Sequence, residues 1–110
     1  MTCLNKIRDA LLTVSTNVGH MRALKKSPPY IVWAEDGQAA ASWAGNRMQQ
    51  QAVTGTVDLF TRVLDEDPLV DGIQSALNGV CSWRLNSVQY EDETGLKHWE
   101  WVFEIGNDHV

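Results

Sequence analysis

The sequence predicts an α+β domain, a mostly antiparallel sheet with two helices packed on one face, in the order α-β-β-β-(β)-α-β-β. Three observations predict it. Leu4, Ile7, Leu11 and Val14 recur at spacings of three and four, the repeat of a helix with one apolar face. A second such stripe, Leu69, Ile73, Ala76, Leu77 and Val80, follows directly on Asp67-Pro68. Near the end of the chain, Trp99, Trp101, Phe103 and Ile105 alternate with His98, Glu100 and Glu104, the period of two of a half-buried strand. The length of 110 residues suits a single domain, 1–110, built on one core.

The first helix is expected from about Thr2 to Ser15. Thr2 is its cap, because a hydroxyl accepts a bond from a free N–H of the first turn. The polar cluster Ser15-Thr16-Asn17 ends it. A short strand follows over Val18 to Ala23. Leu24 to Pro29 is a loop, since two prolines do not continue a central strand. The Pro28-Pro29 bond can be cis, as about 5–6% of such bonds are. Tyr30 to Glu35, with Tyr, Ile, Val and Trp, is the second strand, and Asp36-Gly37 is expected to turn the chain. Gln38 to Ala44 reads as a short strand or an irregular link. The longest strand is expected from Arg47 to Val63, with Gly55 marking a bulge.

The second helix has the clearest signals. Asp67 caps it, and Pro68 takes the first helical position, where its missing N–H costs nothing. Asp65 and Glu66 place negative charge near the positive end of its dipole, and Gly79 is the C-terminal cap. Cys81 to Tyr90 and Leu96 to Ile105 form a hairpin around the tip Glu91-Asp92-Glu93-Thr94-Gly95. The tail from Gly106 to Val110 is expected to fray.

Charge is distributed unevenly. Residues 1–50 carry six basic and three acidic side chains, a sum of +3; residues 51–110 carry three and eleven, a sum of -8. One reading is solvated faces of both signs. The other is a subunit with a positive and a negative side that stacks or forms rings with its own copies. The net charge of -5 argues against direct nucleic-acid recognition, which needs clustered Lys and Arg. No apolar run approaches the roughly 20 residues that span a bilayer. The amphipathic N-terminus lacks the apolar segment of a signal peptide. The expectation is a protein that stays in the cytoplasm unless packaged into a particle.

The residues for chemistry are sparse. His20, His98 and His109 form no HxxxH or HxH pair, so no metal site is expected. Cys3 and Cys81 have neither metal-ligand spacing nor a CxxC arrangement and are expected to be buried or half-buried thiols without a disulfide. No nucleophile motif and no glycine-rich phosphate loop is present. Glu35 and Asp36 are adjacent in a strand, where neighbours point to opposite faces, so they do not make an acid pair. Five tryptophans are mostly expected in the core, with one or two left for a subunit interface. Surface loops are the remaining candidates for function. Lys25 and Lys26, Glu35 and Asp36, Arg47, and the tip residues Glu91, Asp92 and Glu93 are the candidate subunit or partner contacts.

Four segments in this order carry a family likeness: PYIVWAEDG at 29–37, TGTVDLFTR at 54–62, DPLVDGIQSAL at 67–77 and SVQYEDETGLKHWEWVFEI at 87–105. Together they resemble the siphophage tail completion proteins, also called tail terminator or head–tail joining proteins, over about residues 4–105. The resemblance implies a small α+β fold and no catalytic activity, catalytic residue or cofactor. It implies a ring, typically a hexamer, at the head-proximal end of the tail tube. Such a ring ends tube polymerisation and contacts the tail tube protein and the head connector protein in the virion. The alternatives are another head–tail connector, a minor tail component, or a small phage protein that binds and inhibits a host protein.

Overall fold

The computed structural model describes residues 3–39, 43–44, 47–48 and 52–106, with side chains for 3–38 and 52–106. Helix α1 (Cys3–Leu12) is followed by strands β1 (Val18–His20), β2 (Tyr30–Ala39), β3 (Trp43–Ala44), β4 (Arg47–Met48) and β5 (Ala52–Thr61). Helix α2 (Pro68–Asn78) then precedes the hairpin of β6 (Ser82–Glu91) and β7 (Leu96–Gly106). Five strands form one sheet in the order β1-β2-β5-β7-β6. All neighbours are antiparallel except β1 and β2, which run parallel. This is the α+β architecture expected from the sequence.

Both helices lie on one face. Cys3, Leu4, Ile7 and Leu11 of α1 and Val70, Ile73 and Leu77 of α2 are buried. They meet Ile31, Trp33, Val53, Val57, Leu59, Trp101, Phe103 and Ile105 of the sheet. Strand β5 alternates strictly between buried and half-buried residues, because every second side chain points at the helices. Among the described residues, no helix lies over the other face of the sheet.

The caps explain where the helices begin and end. Asp67 Oδ1 accepts the Leu69 N–H at 3.0 Å, and Asp67 Oδ2 accepts the Thr61 hydroxyl at 2.7 Å. One carboxylate thus caps α2 and ties it to the end of β5. Gly79 is the C-cap, though in a right-handed conformation, with its N–H directed to Ala76 and Leu77 carbonyls. The expected Thr2 cap of α1 and the tail beyond Gly106 lie outside the described residues.

Several boundaries differ from expectation, among them the end of α1, at Leu12 rather than Ser15. The first strand stops at His20 rather than Ala23, and Met21 leaves it with φ 70°. The Asp36-Gly37 pair does not turn the chain: β2 continues to Ala39, and a bulge between Glu35 and Gly37 absorbs Asp36. Its cause is pairing at long range, since Gly37, Gln38 and Ala39 face Thr54, Val53 and Ala52. The expected strand from Arg47 to Val63 is two elements. Arg47–Met48 pairs back on Trp43–Ala44, and β5 runs only from Ala52 to Thr61. The Pro28–Pro29 peptide is cis.

Candidate functional site

The open face of the sheet carries the most organised polar group in the molecule. Sheet register sets Tyr30 of β2, Phe60 of β5 and His98 of β7 in one row across three strands. Their rings stack, with centroids 4.7 Å apart for Tyr30 and Phe60 and 4.1 Å for Phe60 and His98. His98 Nε2 lies 2.7 Å from Asp58 Oδ1, and both side chains are largely covered. Asn86, the extra residue of a bulge in β6, donates to Glu100 Oε1 at 2.7 Å beside them.

The electrostatics follow from this crowding. The hydrogen bond to Asp58 raises the His98 pKa, and the charges of Asp58, Glu100 and Glu91 add to it; desolvation opposes them. Burial raises the Tyr30 pKa, helped by Glu91. A raised histidine pKa in the folded state makes the pair stabilising below the unfolded value of about 6.5. That contribution is lost as pH rises through the folded value. The His98 ring should therefore titrate above the ordinary histidine range by NMR, and Asp58→Asn should lower it. The stability gap between wild type and Asp58→Asn should be wider at about pH 6 than at about pH 9. An equal gap at both would mean that the pair carries no net charge coupling.

A trough of about 920 Å³ lies over Tyr30, Phe60 and Asp58. Arg22 and Lys26 of the β1–β2 loop stand at one side, Glu91 and Thr94 of the hairpin tip at the other, and Arg62 between them. Arg62 donates to the Thr94 carbonyl at 3.2 Å and so holds the tip against the end of β5. The basic loop and the acidic tip thus occupy the same end of the sheet. The loop is held by the Asn17 side-chain amide, whose nitrogen lies 2.9, 3.1 and 3.3 Å from the carbonyls of Lys25, Ser27 and Pro29 and shares its two hydrogens among them.

The candidate residues are therefore only partly brought together. Lys26 and Glu91 share the trough, and Lys25 sits beside it near Thr16 and Asn17. Asp92 and Glu93 are exposed at the tip. Glu91 instead accepts the Thr94 hydroxyl at 3.0 Å within its own turn. Glu35 and Asp36 point apart. Glu35 lies 2.6 Å from His20, which stacks on Trp33, and this contact holds its carboxyl below the usual range. Asp36 accepts the Thr54 hydroxyl at 2.6 Å. The Arg47 side chain lies outside the described residues.

Sequence reasoning missed the His98–Asp58 pair and the role of Asn17. No local pattern links His98 to Asp58, because the contact depends on how β5 and β7 are registered. Cys3 is buried and Cys81 half-buried, as expected, and burial pushes the Cys81 thiol up to about 11. Among the described residues no group of three His, Cys, Asp or Glu is placed to hold a metal ion. No described helix is long and apolar enough to cross a membrane. Neither the known family models nor the curated proteins compared with this chain match its sequence.

Proposed function

We propose that this protein is a structural part of a phage or prophage tail. It caps the head-proximal end of the tail tube, ends its polymerisation and joins it to the head connector as a ring, typically of six copies. It works by contact rather than by bond chemistry and takes no cofactor. The observation that carries this reading is the character of the surface. Exposed apolar side chains gather on an outer strand, as Leu85, Val88 and Tyr90, and on a rigid loop, as Met21 and Leu24. Apolar patches of this kind, rimmed by charge, mark protein contacts. The small α+β fold with helices on one face agrees with the resemblance noted above.

Deleting the gene from the phage or prophage that encodes it tests the reading. Electron microscopy should find tails of uneven, excessive length and heads left unjoined. Tails of normal length attached to heads would reject it. Overlength tails would separate a terminator from another connector, whose loss would leave tail length normal while heads stayed unjoined.

A further inference from the structure

The two edges of the sheet are unlike each other. At one edge, β1 is only three residues long. The loop that follows it displays Met21, Leu24, Arg22, Lys25 and Lys26, pinned by the Asn17 amide. At the other edge, β6 runs ten residues and, among the described residues, pairs with β7 alone. Proteins that stay monomeric protect such an edge with charges, proline, shortness or a bulge, and of these β6 has the bulge at Asn86. Here the stretch Leu85-Asn86-Ser87-Val88-Gln89-Tyr90 carries no charge and no proline. Leu85, Val88 and Tyr90 are 41%, 40% and 53% exposed. The strand ends in the acidic tip Glu91-Asp92-Glu93.

We infer that the β6 edge of one copy docks against the β1 edge and the 21–28 loop of the next. This inference rests on the ring-forming reading above and names its subunit interface. Three features select a second copy as the occupant. The loop is basic where the tip is acidic, so the charges complement each other. Both surfaces also expose large apolar side chains, which such a contact would cover. Finally, loop and tip lie at the same end of the sheet. Copies set side by side in one orientation therefore bring each tip to its neighbour's loop. A contact between two different surfaces repeats from copy to copy and closes into a ring when the rotation allows it. A rigid loop also loses little freedom on docking.

Two singly damaged chains test the geometry. Val88→Lys places a cation in the β6 stripe, facing the basic loop. Lys25→Glu with Lys26→Glu reverses that loop. Like charges set against each other should weaken association by at least about tenfold in each chain. Light scattering at a concentration where wild type forms rings should then find each variant near its monomer mass of 12.3 kDa. Mixed in equal amounts, they should associate beyond the monomer mass, because the first keeps an intact loop, the second keeps an intact β6, and the introduced cation then faces a reversed, acidic loop. Adding Asp92→Lys and Glu93→Lys to the loop variant should restore its rings. Glu91 is left alone because it holds its own turn.

Dimers of the loop variant alone, with monomers of Val88→Lys, would mean that β6 pairs with β6 and would overturn the inference. Wild-type assembly in both variants would overturn it too, while leaving the ring reading intact. A wild-type chain that stays monomeric at every concentration also overturns it; the tail-length experiment then decides the function separately.

Discussion

Trp101→Ala should melt about 12–20 °C below the wild type. Trp101 has no exposed surface. It stands in the middle of β7, between Val57 of β5 and Leu85 of β6 in the sheet register. Its indole N–H donates to Gln74 Oε1 on α2 at 3.1 Å, so the side chain joins sheet and helix by both packing and a polar contact. Truncating a buried tryptophan costs about 3–5 kcal/mol, and a domain of this size shifts by roughly 4 °C per kcal/mol. Gln74 also loses its partner in the variant. Trp99 is the control. The side chain is only partly covered, with Lys97 Nζ 4.9 Å from its ring centroid, and its buried indole N–H has no partner among the described residues. Trp99→Ala should therefore cost clearly less. Thermal melts of both variants by circular dichroism measure the difference. Equal losses would show that α2 does not bear on Trp101 as the contacts imply.

The elements that could be read from sequence are those whose causes are local. Helix α2 is specified by Asp67, Pro68 and a stripe within eleven residues, and it forms where those signals place it. Strand β7 declares itself by alternation, and its Trp101, Phe103 and Ile105 are buried. Where a local signal met a long-range one, the long-range one prevailed. Asp36-Gly37 has turn chemistry, but the row of partners offered by Ala52 to Thr54 extends β2 past it. The bulge and the Thr54 hydroxyl then accommodate the surplus aspartate. The charge asymmetry was legible as two halves of the chain. That their loops lie at one end of the sheet follows from the strand directions, and that they stand at opposite edges follows from the strand order. The His98–Asp58 contact joins residues 40 positions apart and has no sequence signature at all.

Gly55→Ala should lose about 3 kcal/mol, and Gly37→Ala should stay within about 0.5 kcal/mol of wild type. Both glycines lie in strands that pair across the β2 bulge, and neither has a positive φ, so backbone freedom does not distinguish them. Space does. A Cβ on Gly55 would meet the Ala34 carbonyl oxygen at 2.2 Å and the Phe103 ring at 2.5 Å. Phe103 is buried and cannot swing out to solvent, and the carbonyl belongs to the paired strand. Among the described residues, a Cβ on Gly37 would meet the Thr54 hydroxyl alone, at an ordinary 3.6 Å. The sequence suggested that Gly55 marks a bulge. The bulge is in fact in the partner strand, and Gly55 serves to let Phe103 lie flat across β5 beside it. Urea unfolding of the two variants separates the explanations. A large loss in Gly55→Ala alone fits steric exclusion. Equal small changes in both would mean that β2 and β5 part easily at this end. A double change, Gly55→Ala with Phe103→Leu, should recover part of the loss by removing the ring, while the contact with the Ala34 carbonyl keeps the recovery incomplete.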